Sequence, residues 1–366
     1  MADIIKKLKS QARGLNKKIV FPEATDERIL KAAVQSVKEK VIKAVLIGDE
    51  KKITSKAKSL EISLNGIEMI NPLKSKNLGK YASILSKKMG ISEKTAKIIA
   101  QKPLFFAALA VAAGDAEGMV AGAVHTSGEV IAVSTKVIGL QKGISVPSSF
   151  FLMVIPNYEG GENGTLLYAD ASVNPSPNSE QLADIAIMSG KTAKNLLGWK
   201  PMIALLSFST KGSAEHPDVC KVIKAAEIAR KKAEGLMIDG ELQADSALVM
   251  STAKRKIKGN LGDVAGKANV LIFPDLDAGN ISYKLTQILA KAHAYGPILQ
   301  GFARPVSDLS RGATVEDIIG TIAILSVWAK RWKRSETFSF RRASKQSLGT
   351  SQNSKNFQDA KNRRDF

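Results

Sequence analysis

The sequence predicts an α/β fold made of two lobes. Short apolar segments alternate with amphipathic ones at 18–21, 28–34 and 44–48, which is the strand–helix–strand order of a parallel sheet. The chain has 366 residues, of which 44% are hydrophobic, so it can bury a large core, and its length favours two lobes over one. A second series of apolar runs begins near Ser145, where we place the start of the second lobe.

Each lobe has its own predicted elements. In the first lobe, residues 81–112 are mostly helical and residues 114–125 form a Gly-rich strand and turn. Buried strands of the second lobe are predicted at 150–154, 165–168, 203–206 and 270–273, separated by helices at 178–196, 213–233 and 279–292. Open α/β sheets bind ligands beyond the carboxyl ends of their strands. Small polar loops follow several strands, at 170–174, 207–213, 239–243 and 275–280.

The last part of the chain differs in composition from the rest. Residues 330–366 carry 11 of the 54 Lys and Arg residues and 3 of the 34 Asp and Glu residues, so they contribute +8 to a net charge of +20. Arg accounts for six of those 11 basic residues but for only six of the remaining 43. Without a hydrophobic period, the segment is predicted to be a basic tail that is disordered or anomalous. The abrupt change favours a frameshifted reading frame or a fused extension over a native arm for acidic partners.

Composition argues against several classes of protein. Cys220 is the only cysteine, which excludes an internal disulfide and favours a reducing cytoplasm; its apolar neighbours predict a core position on a helix. The three histidines are too far apart in sequence for a zinc motif, so no metal site is expected. Neither a membrane-spanning apolar run nor a signal peptide is recognised, so no membrane association is expected. Aromatic residues make up 5% of the chain, which disfavours nucleic-acid binding despite the positive charge.

Common nucleotide-binding and serine-hydrolase motifs do not occur. Gly190-Lys191-Thr192 is similar to the end of a phosphate-binding P-loop, but Ile185 stands where that loop needs Gly. The glycines at 160–164 have the wrong spacing for a dinucleotide-binding turn and fit a hairpin. No GxSxG nucleophile elbow is present.

The run at 308–319 is the strongest candidate for a functional site. It brings the hydroxyl of Ser310, the guanidinium of Arg311 and the carboxylate of Asp317 to the start of a helix, with a capping box at 314–317. Free N–H groups at a helix N-terminus attract phosphate or a developing oxyanion. The run therefore combines an anion site with a base.

A structural interpretation of the same run stays open on local sequence alone. Asp317 would then only cap its helix. Arg311 would form an ion pair with Glu316 or Asp308.

Several strings of the chain, taken together, resemble the phosphate acetyltransferase family. They include the string at 201–213, which ends in Ser-Phe-Ser-Thr-Lys-Gly-Ser, and further matches at 239–245, 264–280, 283–284, 296–301, 305–306, 308–312 and 316–318. The similarity covers residues 17 to 328 and is most specific from 170 to 319. It implies that acetyl-CoA and phosphate react reversibly, in a ternary complex, to give acetyl phosphate and CoA. It implies no metal and no cofactor beyond the substrate CoA.

The resemblance assigns separate roles to three residues. Asp317 would take the proton from the CoA thiol, Arg311 would hold phosphate and neutralise the tetrahedral intermediate, and Ser310 would donate a hydrogen bond to the carbonyl oxygen or phosphate. A thiol with a pKa of about 8.5 is only slightly ionised near pH 7, so a nearby base helps. The planar Arg fork binds two oxygens at once. Further substrate contacts are expected from Thr126, Ser127, Tyr283 and Lys284.

The resemblance also implies a fold like that of the isocitrate and isopropylmalate dehydrogenases, with central mixed sheets and an active site in the cleft between two α/β lobes. On this chain, domain I would comprise residues 1–144 and 298–329, and domain II residues 145–297. Members of the family are usually homodimers, so a homodimer is expected.

Two departures set the chain apart from the family pattern. The family usually has Arg at the position of Ala132, and another near Lys87 and Lys88. Lys136, one helical turn beyond Ala132, is a candidate substitute, although Lys lacks the bidentate fork of Arg. Two other interpretations therefore stay open: a phosphate propionyl- or butyryltransferase, and a catalytically weakened paralogue that binds CoA or a partner.

Overall fold

The computed structural model describes residues 4–142 and 144–330. These residues form one mixed sheet of eleven strands, covered by helices. The strands are β1 (Lys18–Phe21), β2 (Lys43–Ile47), β3 (Glu68–Ile70), β4 (Gly118–Val120), β5 (Ser148–Val154), β6 (Thr165–Ala169), β7 (Met202–Leu206), β8 (Met237–Leu242), β9 (Val270–Ile272), β10 (His293–Gln300) and β11 (Val306–Ser307). Their order across the sheet is β3-β2-β1-β4-β11-β10-β5-β6-β9-β7-β8.

Helices cover both faces of this sheet. They are α1 (Ile4–Ala12), α2 (Glu27–Lys38), α3 (Glu50–Ser59), α4 (Leu78–Met89), α5 (Glu93–Ala100), α6 (Pro103–Ala112), α7 (Ser127–Val137), α8 (Ser179–Thr192), α9 (Pro217–Lys232), α10 (Ala244–Leu248), α11 (Met250–Lys256), α12 (Leu276–Leu289) and α13 (Val315–Ala329). A short 3-10 helix at Pro72–Lys74 and a π-helical turn at Ala193–Leu197 complete them.

The pairing of the strands divides the sheet into two parallel blocks. The strands β3, β2, β1, β4 and β11 are parallel, as are β6, β9, β7 and β8. Between them β10 and β5 pair antiparallel with each other and with their outer neighbours. This architecture confirms the predicted α/β class with a central mixed sheet. The proposed domain boundaries at 144 and 297 remain a prediction, and the second of them falls inside β10.

Three hydrophobic cores hold the helices on the sheet. One face is covered by α1, α2, α8, α9 and α13, which share a single core. On the opposite face α4, α5, α6 and α7 pack over the first parallel block, and α10, α11 and α12 over the second. Helix α13 is buried along most of its length between α1, α2 and β10. Its N-terminus is therefore fixed at the edge formed by the carboxyl ends of the first parallel block.

Most predicted strands and helices are confirmed, but β3, β10 and β11 were missed, and β10 is the longest of the three. Gly296-Pro297 reads as a turn because Pro lacks the N–H group that a strand interior needs. The structure places this pair where the register between β10 and β5 shifts, between Tyr295 and Ile298. A bulge at that point removes the need for the missing donor, so the strand continues through Pro297.

Two smaller expectations were wrong. The polar segment predicted as a loop at 239–243 lies mostly within β8, an edge strand whose pairing with β7 is irregular. Cys220 lies on α9 as expected, but its side chain is exposed, because the buried face of that helix is formed by Val219, Val222 and residues at helical spacing beyond them.

Of the predicted tail, only Lys330 belongs to the described residues. Within residues 4–142 and 144–330, no single helix is long and apolar enough to cross a membrane, although the bent pair α5 and α6 meets that length and hydropathy together.

Candidate active site

The predicted loop follows β11 and leads into α13. Within it the N–H of Gly312 donates to Ser310 Oγ at 3.3 Å, and the N–H of Ala313 donates to Ser310 O at 2.9 Å. The Arg311 side chain is exposed, and among the described residues it forms no ion pair. The alternative in which Arg311 pairs with a neighbouring acid is therefore not observed. Its guanidinium is available to an anion.

Asp317 forms the predicted capping box at the start of α13. Its Oδ2 accepts hydrogen bonds from the Thr314 N–H at 3.0 Å and the Thr314 hydroxyl at 2.8 Å, and its own N–H donates to that hydroxyl oxygen. The other oxygen, Oδ1, lies 4.0 Å from His293 Nδ1. Asp317 therefore caps its helix with one carboxylate oxygen and leaves the second for another partner.

A second loop, residues 122–127, connects β4 to α7 and is wrapped around the carboxylate of Glu23. The backbone N–H groups of residues 122 to 125 all donate to this carboxylate, at 2.7 to 3.1 Å. The His125 ring adds Nδ1 at 2.8 Å. Burial alone would raise the pKa of Glu23, but these hydrogen bonds hold it below its usual value. The carboxylate is thus an internal anion that fixes the loop.

The same carboxylate acts on His125. Its hydrogen bond and negative charge raise the pKa of the His125 ring above the usual value, although burial of the ring opposes this. Next along the chain, Thr126 caps α7 through a capping box with Glu129. Ser127, the first residue of α7, is half-buried. The candidates Thr126 and Ser127 therefore lie at a helix N-terminus, a position that suits anion binding.

Arg28, at the start of α2, joins the two loops. Its Nη1 donates to Arg311 O at 2.6 Å, and its Nη2 donates to Ala123 O at 2.9 Å. A longer hydrogen bond, 3.4 Å, reaches Ala313 O. The Asp26 carboxylate accepts from Nε at 3.2 Å and from Nη2 at 2.9 Å.

Asp308 lies where the two loops pack against each other, next to Gly122. It is fully buried, and neither of its carboxylate oxygens has a hydrogen-bond partner of normal geometry among the described residues. Its Oδ1 packs against Gly122, where a Cβ would collide with it and with the Leu309 backbone; Gly122 also has a φ of 103°. Burial raises the pKa of Asp308 to about 7, and the nearby Ser127 hydroxyl offsets this only in part.

The other two residues predicted to contact substrate, Tyr283 and Lys284, lie on α12. Tyr283 is buried and stacks on Phe151 with ring centroids 4.0 Å apart. Lys284 is exposed, with Nζ 4.9 Å from the centroid of the Tyr283 ring. Tyr283 is therefore a core residue that supports Lys284, and the place of both in the site rests on the resemblance alone.

The departures from the family pattern lie on exposed surface. Ala132 and Lys136 are both exposed and are four residues apart on α7, so they share one face of that helix. On α4, Lys87 and Lys88 are exposed as well, and partial burial of the Lys88 ammonium lowers its pKa below the usual value. No group of His, Cys, Asp and Glu in the described part of the chain could hold a metal ion.

Sequence reasoning missed Glu23, Arg28 and Asp308 as parts of this site. Glu23 and Arg28 follow β1, whose carboxyl end lies beside that of β4 because the two strands are parallel neighbours. An acidic and a basic residue directly after a buried strand were therefore an available signal. Asp308 was noted only as a possible partner of Arg311.

The buried carboxyl of Asp308 predicts a pH-dependent stability. Its pKa of about 7 exceeds the ordinary value of 3.8, so the folded protein binds the proton more tightly than the unfolded chain. This contribution is complete below pH 4 and is lost as pH rises through about 7. We expect Asp308→Asn, which stays neutral, to gain stability relative to the parent chain over that interval, by at most about 4 kcal/mol.

Urea unfolding of both proteins between pH 4 and pH 8.5 measures this difference. Asp245→Asn, at an exposed carboxylate paired with Lys256 on the surface, is the control and should show no such rise. A constant difference between the Asp308→Asn protein and the parent chain over the whole interval would contradict the prediction.

Comparisons with known proteins agree with the geometry. The family model described as phosphate acetyl/butaryl transferase matches residues 3–326. The phosphate acetyltransferase of Acetivibrio thermocellus is 48% identical over 333 residues, which are 90% of this chain and 98% of that protein. That of Thermoanaerobacterium thermosaccharolyticum is 48% identical over 330 residues, 89% of this chain and 99% of that protein.

Solved structures give the same result. The EutD phosphotransacetylase from Staphylococcus aureus superposes with a TM-score of 0.80 at 38% identity, covering 90% of this chain and 98% of its own. A phosphotransacetylase from Streptococcus pyogenes gives 0.82 at 36% identity, covering 89% and 98%. The chain therefore belongs to the phosphate acetyl/butyryl transferase family of acyltransferases.

Proposed function

We propose that the chain transfers an acetyl group reversibly between CoA and phosphate, with the reaction taking place where the 308–313 loop, the 122–127 loop and the start of α13 meet. The observation that carries this proposal is the guanidinium of Arg311, which is exposed, forms no ion pair among the described residues and stands three residues before Thr314, the N-cap of α13. Phosphate, acetyl phosphate and the tetrahedral intermediate are all anions that such a site stabilises.

In the direction of acetyl-CoA synthesis, the proton of the CoA thiol passes to Asp317 and the sulfur attacks the carbonyl carbon of acetyl phosphate. Formation of the C–S bond gives the tetrahedral intermediate; its C–O bond to phosphate then breaks, and inorganic phosphate leaves. Arg311 neutralises the charge that develops on the carbonyl oxygen and the leaving phosphate, and Ser310 donates a hydrogen bond to either oxygen. The reverse direction uses the same groups with the proton returned to sulfur.

The arrangement of Asp317 supports its role as the base. Its Oδ2 is occupied by Thr314, which fixes the orientation of the carboxylate. Its Oδ1 is free of that cap and faces His293, a half-exposed side chain. A base whose orientation is fixed through one oxygen can accept a proton at the other without losing its position.

Acetyl is the acyl group that the comparisons favour over propionyl or butyryl. Relatives named phosphate acetyltransferase, including that of Clostridium acetobutylicum at 43% identity, match almost their whole length. A branched-chain phosphotransacylase from Enterococcus faecalis V583 is only 19% identical with a TM-score of 0.63, which is a likeness of fold. The reaction needs no metal or cofactor besides CoA, and the single cysteine suits a reducing cytoplasm.

A homodimer is also part of the proposal. Helix α12 exposes four large apolar side chains at helical spacing, Ile281, Leu285, Ile288 and Leu289, each more than half exposed. A monomeric protein rarely presents such a stripe to water. A second copy of the chain that buries the stripe would remove the free-energy cost of exposing these side chains to water.

Replacing Arg311 by Gln should lower the rate strongly. The substitution removes the charge that stabilises the phosphate and the intermediate, so we expect phosphate-dependent release of CoA from acetyl-CoA to fall by roughly 100-fold or more. Arg255→Gln, at an exposed arginine on α11, is the matched control and should keep its rate. An Arg311→Gln protein that keeps most of its turnover would remove Arg311 from the mechanism.

Asp317→Asn separates catalysis from capping. The amide oxygen still accepts the Thr314 hydrogen bonds, so stability should change by no more than about 1 kcal/mol. The amide cannot accept the thiol proton, so kcat should fall by roughly 100-fold. Steady-state rates and urea unfolding of one preparation measure both effects. A loss of stability large enough to explain the loss of rate would favour a capping role alone.

Breaking the apolar stripe of α12 should give monomers. We expect the parent chain to sediment as a dimer and the Ile288→Asp/Leu289→Asp variant to sediment at half that mass, because two buried charges oppose association. Ile98→Asp, at another exposed apolar position, on α5, is the control. Sedimentation of the parent chain as a monomer at micromolar concentration rules the proposal out.

A further inference from the structure

We propose that Arg28 is a positioning residue for the acetyl transfer: it holds the main chain of the 308–313 loop against that of the 122–127 loop, and so sets where the Arg311 side chain lies. The proposal rests on the function proposed above for Arg311. It assigns to Arg28 no contact with substrate.

The contacts of the Arg28 guanidinium are with backbone carbonyls of both loops. Arg311 O and Ala123 O, at 2.6 and 2.9 Å, are separated in sequence from Arg28 by 283 and 95 residues, so a single side chain bridges three distant parts of the chain. The bond to Arg311 O acts on the very residue whose guanidinium is proposed to bind phosphate. If that carbonyl moves, the backbone of Arg311 changes conformation and its side chain points elsewhere.

Asp26 orients the guanidinium for this task. It accepts from Nε at 3.2 Å and from Nη2 at 2.9 Å, which fixes the plane of the fork, and it also caps α2. This hydrogen bond raises the pKa of Arg28 further above its ordinary value, so the group stays charged. Hydrogen bonds from a charged donor are stronger than those between neutral groups. The Arg28 guanidinium is thus held in orientation by Asp26 and hydrogen-bonded to both loops.

No other ordinary side chain can replace this arrangement. Arg presents five N–H donors in one plane, whereas the Lys ammonium places all three donors on one nitrogen. Lys at position 28 could keep the charge and bond one loop or the other, but it could not span both while pairing with Asp26. Arg28→Lys is therefore the informative change, because it keeps the charge and removes the bridge.

The first measurement is steady-state release of CoA from acetyl-CoA and phosphate by Arg28→Lys and Arg28→Gln. We expect kcat to fall by roughly 10- to 100-fold, because small displacements of catalytic groups are costly. The KM for acetyl-CoA should stay within about threefold of the parent value, because Arg28 does not bind it. Arg230→Lys is the matched control: Arg230 also contacts an aspartate and a backbone carbonyl, Asp239 and Ile238 O, but on α9. It should leave both parameters unchanged.

A double-mutant cycle then separates positioning from an independent contribution. If Arg28 acts through Arg311, then Arg28→Lys should slow the Arg311→Gln protein by less than about threefold, far less than it slows the parent chain. Multiplicative losses, or an unchanged kcat in Arg28→Lys alone, would overturn the proposal. A normal rate for Arg311→Gln alone would instead refute the proposed function.

Hydrogen exchange gives a readout that does not depend on activity. In Arg28→Lys, the amides of residues 309–313 and 122–125 should exchange faster, and those of the Arg230→Lys control should not. Unchanged exchange in both loops would show that Arg28 does not hold them, and would overturn the proposal even if kcat fell. Arg28→Lys serves for every measurement if Arg28→Gln does not fold.

Discussion

The carboxylate of Glu23 is the centre on which the rest of the site depends. A charge buried away from water must be compensated by hydrogen bonds, and here four successive backbone N–H groups and one imidazole nitrogen do so. Only a chain that curves tightly around the carboxylate can turn four consecutive donors toward it. The internal anion therefore determines the path from β4 to α7, and with it the position of the α7 N-terminus.

The order of the strands explains why one such centre can organise the whole site. The strands β1, β4 and β11 are consecutive and parallel, so their carboxyl ends lie side by side. The three segments that follow them carry Glu23 with Arg28, the 122–127 loop, and the 308–313 loop. Residues that are almost 300 positions apart in sequence thus become neighbours through sheet topology. Helix α13, packed between α1, α2 and β10, holds Asp317 at the same edge.

The sequence contains most of the fold and part of the site. The strands β1, β2, β5, β6, β7 and β9 were predicted because each is a short, uninterrupted apolar run between helical segments. Strand β10 was not predicted because Pro297 fits inside a sheet only at a bulge. A bulge is a property of the pairing with the neighbouring strand, which the local sequence does not show. Thr314 and Asp317 were found because a capping box is a local motif. The role of Arg28 could not be found in this way, since its acceptors are backbone carbonyls, which every residue type provides.

The bridging contacts of Glu23 and Arg28 are made almost entirely to main-chain atoms, and this has a consequence for how such a site can diversify. Side chains on the two loops are free to change without loss of the framework that holds them. Val124, for example, gives its N–H to Glu23 while 63% of the residue is exposed to solvent. Substitutions at such a position change the side chain and leave the backbone hydrogen bond to Glu23 in place. A framework of this kind tolerates changes of side chain on both loops while their main chain stays in place.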